Sequence, residues 1–142
     1  MIKFYEGLGF TLRRRDMEKG EFVNHLLGTD SMALETAKMI LNDESIPYKN
    51  RFQLELMEVK NQTIDSDDNT NLVKEFDFIA RGIGHVDNAF TVDDISQVLK
   101  YIVENEGALV NKPLKSTGGF PAIHCYATDP EGNVLHLAQN LK

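Results

Sequence analysis

The sequence predicts an α+β fold built from two related halves, and three features predict it. Residues 82–94, Gly-Ile-Gly-His-Val-Asp-Asn-Ala-Phe-Thr-Val-Asp-Asp, read as a strand that leads straight into an amphipathic helix. Short apolar segments elsewhere are separated by Gly, Pro, Asn and Asp, the punctuation of antiparallel strands. The order of elements after residue 82 is also echoed before residue 60.

In an extended strand alternate side chains point to opposite faces. Val86, Phe90 and Val92, with Asn88 among them, share one face of this stretch; Ile83, His85, Asp87, Ala89 and Thr91 share the other. From Asp94 onward, Ile95, Val98, Leu99, Ile102 and Val103 recur at helical spacing. Asp94 with Gln97 reads as an N-terminal capping box, and Gly107 as the stop. The helix is therefore expected to cover Val86, Phe90 and Val92. His85 is left on the uncovered face.

The other elements follow in order. Ile2 to Leu8 read as a short helix ending at Gly9, with Ile2, Tyr5 and Leu8 on one side and no capping residue before it. Phe10–Met17 is a strand, Glu18–Gly20 a turn, and Glu21–Leu27 a short helical turn stopped by Gly28. Ala33–Leu41 and Arg51–Val59 are antiparallel strands joined by a polar loop containing Pro47; Phe52, Leu54 and Leu56 face one way, Glu55 and Met57 the other. The Asn- and Asp-rich segment after Lys60 is a linker. Ala108–Lys115 is a strand broken by Pro113, Ser116–Pro121 a loop, Ala122–Thr128 a strand, Asp129–Asn133 a tight turn and Val134–Gln139 the last strand.

A length of 142 residues fits one domain or two small halves. The net charge of −7 argues against nucleic acid or an anionic membrane as partner. No apolar run suffices for a membrane span, and the start has no signal-peptide character. The single cysteine, Cys125, fits a reducing compartment, so the cytoplasm is expected. Cys125 itself lies on the apolar side of its strand, where a buried structural role is expected.

The internal repeat pairs Lys3-Phe4-Tyr5 leading to Gly9 with Lys100-Tyr101-Ile102 leading to Gly107, and Leu54-Glu55-Leu56 with Leu135-His136-Leu137. It divides the chain into a first module at 1–60, a linker at 61–81 and a second module at 82–142. The second is strand–helix–strand–strand–strand; the first lacks the initial strand. The repeat thus predicts that the chain begins about one strand late.

With Phe4-Tyr5-Glu6-Gly7-Leu8-Gly9-Phe10, Leu54-Glu55-Leu56, Gly84-His85-Val86, the helix start at Val92-Asp93-Asp94 and Asp129-Pro130-Glu131-Gly132-Asn133 in view, the chain resembles the vicinal oxygen chelate superfamily, which includes glyoxalase I, extradiol dioxygenases and bleomycin resistance proteins. The resemblance implies paired βαβββ modules that form a curved mixed sheet around a cavity. It also implies a divalent metal held by the first and last strand of each module. Carried onto this sequence, the metal positions are Glu55, His85 and His136, with a fourth on the missing strand. Alternation agrees: each of the three points away from its apolar neighbours. Zn, Ni, Fe, Mn and Co all suit carboxylate and imidazole ligands.

His124 alternates with Tyr126 toward the same face, so His124 is a candidate proton carrier beside Glu55, and Tyr126 and Phe120 are candidate substrate contacts. His25 reads as an ordinary helical residue. Arg13, Arg14 and Arg15 must divide between faces, and one of them could meet a substrate carboxylate. The expected activity is that of a glyoxalase-like lyase or isomerase acting on a small oxygen-rich substrate chelated by the metal; dioxygenase chemistry is less favoured. The alternative is a non-catalytic protein of the same fold that binds an antibiotic. A homodimer is expected from the open sheet edge.

Overall fold

The computed structural model describes residues 1–27, 33–60, 88–116 and 121–141. Gly28, the 61–81 linker, His85, Val86 and Phe120 lie outside them. The chain divides into two compact units, Met1–Lys74 and Glu75–Lys142.

In the first unit α1 (Ile2–Gly7) leads into β1 (Phe10–Lys19), α2 (Glu21–Leu27), β2 (Ala33–Leu41), a 3-10 turn at Tyr48–Asn50 and β3 (Gln53–Lys60). The three strands form an antiparallel sheet in the order β1-β2-β3. β2 is central, which is why Ala33, Leu34, Thr36, Ala37, Met39 and Ile40 are buried irrespective of parity. At one end Tyr5 packs edge-on against both Phe4 and Phe10, with ring centroids 5.3 and 5.8 Å away, and Phe52 meets Phe10 at 6.0 Å. These offset ring contacts anchor an otherwise marginal helix. Met1 supplies no side-chain cap to α1.

Of the strand limits that differ from the sequence expectation, two have a clear physical cause. β1 runs to Lys19 because Glu18 and Lys19 still pair with Leu34 and Ala33, and Gly20, at φ +100°, reverses the chain. β3 starts at Gln53, because Arg51 instead donates from Nε to the Ile46 carbonyl at 2.9 Å and closes the preceding loop.

The second unit contains β4 (Asn88–Thr91), α3 (Ile95–Glu104), β5 (Ala108–Leu109), β6 (Leu114–Lys115), β7 (Ala122–Thr128) and β8 (Val134–Asn140). Its sheet runs β4-β8-β7-β5, with β6 also on β7. β4 lies parallel to β8 and the remaining pairs are antiparallel. Pro113 falls in the gap between β5 and β6, where the missing N–H would break a ladder. The turn between β7 and β8 is fixed by the buried Asp129. Its carboxylate accepts from the Glu131 and Asn133 amides and from Asn133 Nδ2 at 2.8–3.0 Å.

Asp94 caps α3 as its spacing implies, accepting the Ser96 and Gln97 amides at 2.9 and 3.1 Å. The reciprocal bond differs from a standard capping box: Gln97 Nε2 reaches the Asp94 carboxylate rather than the backbone. Ile95, Leu99 and Ile102 are buried, while Val103, at the rim of the stripe, is half exposed. The Ile95 amide also donates to Gln139 Oε1 at 3.0 Å, tying the helix start to β8. Helix and strands bury Cys125, Ala127, Leu135 and Leu137. The helix stop works differently from the expectation. Glu106, not Gly107, takes the left-handed conformation (φ +69°). Gly107 is needed for space: a Cβ there would lie 2.5 Å from the Thr128 carbonyl oxygen and 2.6 Å from Ile102 Cγ2. Among the described residues, no helix is long and apolar enough to cross a membrane.

These contacts set two stability expectations. Asp94→Ala should cost about 1 kcal/mol through the lost cap. Gly107→Ala should cost more, about 1–3 kcal/mol, because backbone must move to admit the methyl group. Urea titrations of both variants measure the difference. Equal small effects would contradict the close-packing role of Gly107.

Candidate functional site

Every described residue of the candidate site sits on a strand, and cross-strand register decides its neighbours. In the first sheet Lys38 stands opposite Glu55 and Arg14 opposite Lys38, so the three form a row on one face. Lys38 Nζ lies 3.4 Å from the Glu55 carboxylate and 3.8 Å from that of Glu18. Thr36 donates to Glu18 at 3.3 Å. Of the three consecutive arginines, Arg14 is the one beside Lys38, and it pairs with Asp16 at 2.5 Å. Arg15 turns to Glu35 instead. The side chains of Glu55 and Lys38 are 43% and 41% exposed. An ion pair that open is worth about 0–1 kcal/mol, so it does not commit the carboxylate against a stronger cation.

In the second sheet Tyr126 stands opposite His136 and His124 opposite Ala138, which places His124 diagonal to His136 on one face. The Tyr126 and His136 rings stack at 4.5 Å and 19°. His124 Nδ1 lies 3.2 Å from His136 Nε2. Their centroids are 5.3 Å apart. Two imidazoles reach that separation at this nitrogen distance only when both nitrogens lie close to the line between the rings. They meet edge to edge, within a hydrogen bond, rather than face to face. All three side chains are half buried, and no described residue bonds to His124 Nε2 or His136 Nδ1. On the other side of His136, Ala89 of β4 is its register partner. Cys125 projects to the opposite, buried face, where its thiol donates to the Asn111 carbonyl at 3.1 Å. Burial pushes that thiol's pKa up, which makes it a poor nucleophile. His25 is exposed on α2.

Leu54-Glu55-Leu56 lies in β3 and Leu135-His136-Leu137 in β8, the last described strand of each unit; Glu55 stands opposite Lys38 and His136 opposite Tyr126. Sequence reasoning placed Glu55, His124, Tyr126 and His136 on their faces but missed Lys38 as the partner of Glu55 and the bond between the two histidines. A signal for the second was present. Counting outward from the Asp129–Asn133 turn pairs residues 126 with 136 and makes 124 diagonal to 136. Among the described residues no three His, Cys, Asp or Glu side chains gather around one point.

Among solved structures, the chain is similar to a glyoxalase family protein from Bacillus cereus, with a TM-score of 0.75 at 21% identity. The match covers 99% of this chain and 85% of that one. At this identity the likeness speaks for the fold alone. No curated protein matches the chain. The family model for the Glyoxalase/Bleomycin resistance protein/Dioxygenase superfamily matches residues 1–137. With that match over nearly its whole length, the chain belongs to the Glyoxalase/Bleomycin resistance protein/Dioxygenase superfamily.

Proposed function

We propose that the protein is a metal-dependent lyase or isomerase of the glyoxalase type, acting on a small oxygen-rich substrate. The observation that carries this reading is the pair of donors themselves: Glu55 and His136, a carboxylate and an imidazole, each stand between two leucines in the last described strand of their unit. Superfamily members commonly use divalent metals and bind small molecules. The donors suit such an ion: among the described residues His136 has a ring nitrogen without a partner and Glu55 is held only by an exposed ion pair. His85, which lies outside the described residues, completes the proposed set. When bound, the ion (Zn, Ni, Fe, Mn or Co) supplies Lewis-acid polarisation of two substrate oxygens.

The chain's own residues then handle the proton. Glu55 is the candidate base, with Lys38 Nζ 3.4 Å from its carboxylate. His124 supplies a second imidazole beside His136, and Tyr126 is a candidate substrate contact, as is Phe120, which lies outside the described residues. The compartment we assign is the cytoplasm. We also assign a homodimer, because β3 is paired only by β2 among the described residues, which leaves an edge for another strand. Sedimentation equilibrium should give the mass of two chains; a monomer at high concentration overturns that assignment.

A second reading has one observation in its favour. Glu55 already holds Lys38, which suits a protein that binds an antibiotic without an ion. Equilibrium dialysis of tag-free protein against each ion separates the two. The enzyme reading expects one ion per chain, with Glu55→Ala and His136→Ala each weakening binding at least about tenfold. A chain that takes up no ion, yet melts at higher temperature with an aromatic cationic drug, contradicts it and supports sequestration.

A further inference from the structure

The bond between His124 and His136 limits what each ring can do. A neutral imidazole carries one N–H and one lone pair. At 3.2 Å, with both nitrogens near the line of centres, His124 Nδ1 and His136 Nε2 can hold one proton between them. Whichever ring donates, the two outer nitrogens must differ: one is an acceptor and the other a donor. Tyr126, stacked on His136 at 4.5 Å, fixes the plane of that ring. His136 is therefore restrained in plane by a ring face and in rotation by a hydrogen bond.

We propose that His124 is a positioning residue for His136, occupying Nε2 so that His136 meets a metal ion through Nδ1. The assignment rests on His136 being a ligand, as proposed above; the shared proton does not. Its chemical consequence follows from proton counting. With an ion on His136 Nδ1, the proton of that ring must sit on Nε2 and point at His124. His124 Nδ1 then accepts, so neutral His124 carries its own proton on Nε2. Both forms of the pair hold two protons, so the exchange releases none. His124 Nε2 thus becomes a donor suited to a substrate oxygen, and the role of base is left to Glu55. A partner that takes up the second nitrogen of a ligating imidazole is a general device for setting its tautomer and orientation.

Nitrogen-15 NMR of the full chain, labelled at histidine, tests this without an activity assay. In metal-free protein we expect a scalar coupling across the hydrogen bond between His124 Nδ1 and His136 Nε2. On titration with zinc the coupling should persist, His136 Nδ1 should move to the metal-bound range and His124 Nε2 should show an attached proton. His124→Phe, which keeps a ring but no nitrogen, should weaken zinc binding about 10–100-fold, and His124→Gln should restore much of it. No coupling in the folded metal-free protein overturns the proposal whatever zinc does. Loss of the coupling when zinc binds means ligation through Nε2 and also overturns it, with the metal reading intact. A coupling that persists while zinc leaves His136 unmoved overturns the metal reading, and the Nδ1 assignment with it. A folded His124→Phe protein that binds zinc as tightly as wild type would show His124 to be a structural neighbour only.

Discussion

The alternation of side chains along paired strands is the constraint from which the rest of this structure follows. A residue's parity decides its face, and a one-residue slip in register would exchange the two faces completely. In the second unit Cys125, Leu135 and Leu137 are buried, whereas His124, Tyr126 and His136, on the other parity, keep partial access to solvent. The Asp129 carboxylate, holding three donors in the β7–β8 turn, pins that register. A local polar network in a turn thus fixes which ring faces which several residues away. The same logic places Glu55 beside Lys38 in the first unit.

Glu55 and His136 are not chemically equal. Glu55 is a charged oxygen ligand with a cation already beside it, and half of its surface meets water. His136 is an imidazole gripped by a stacked tyrosine and a hydrogen-bonded histidine. Displacing Lys38 from Glu55 costs little, because solvent screens an exposed pair. Reorienting His136 means giving up both a ring contact and a hydrogen bond. In the proposed reading the second module therefore supplies the rigid ligand and the first supplies the adaptable one.

Much of the fold was legible in the sequence. The helical stripe and cap at Asp94, the strands flanking the Asp129 turn and the apolar run of β2 carry strong local signals, and the elements fall where those signals place them. Parity also set the faces of Glu55, His124 and His136, because an apolar residue lies on each side of Glu55 and His136. Less legible was anything decided by backbone crowding or by side-chain reach. Gly107 looked like a conformational stop and proved to be a contact site against Thr128. The extra pairs of β1 and the loop-closing bond of Arg51 depend on the partner strand or loop, not on the local sequence. Lys38 was missed because a lysine in a strand gives no hint of its cross-strand neighbour until the register is known.

X-ray absorption at the metal edge of cobalt-loaded protein tests the central claim most directly, since it reads the ligands rather than their consequences. Joint ligation by Glu55, His85 and His136 should give a first shell of nitrogen and oxygen only, with the outer-shell scattering of two imidazoles, one of which disappears in His136→Ala. A shell without imidazole, or one unchanged by that substitution, would contradict it.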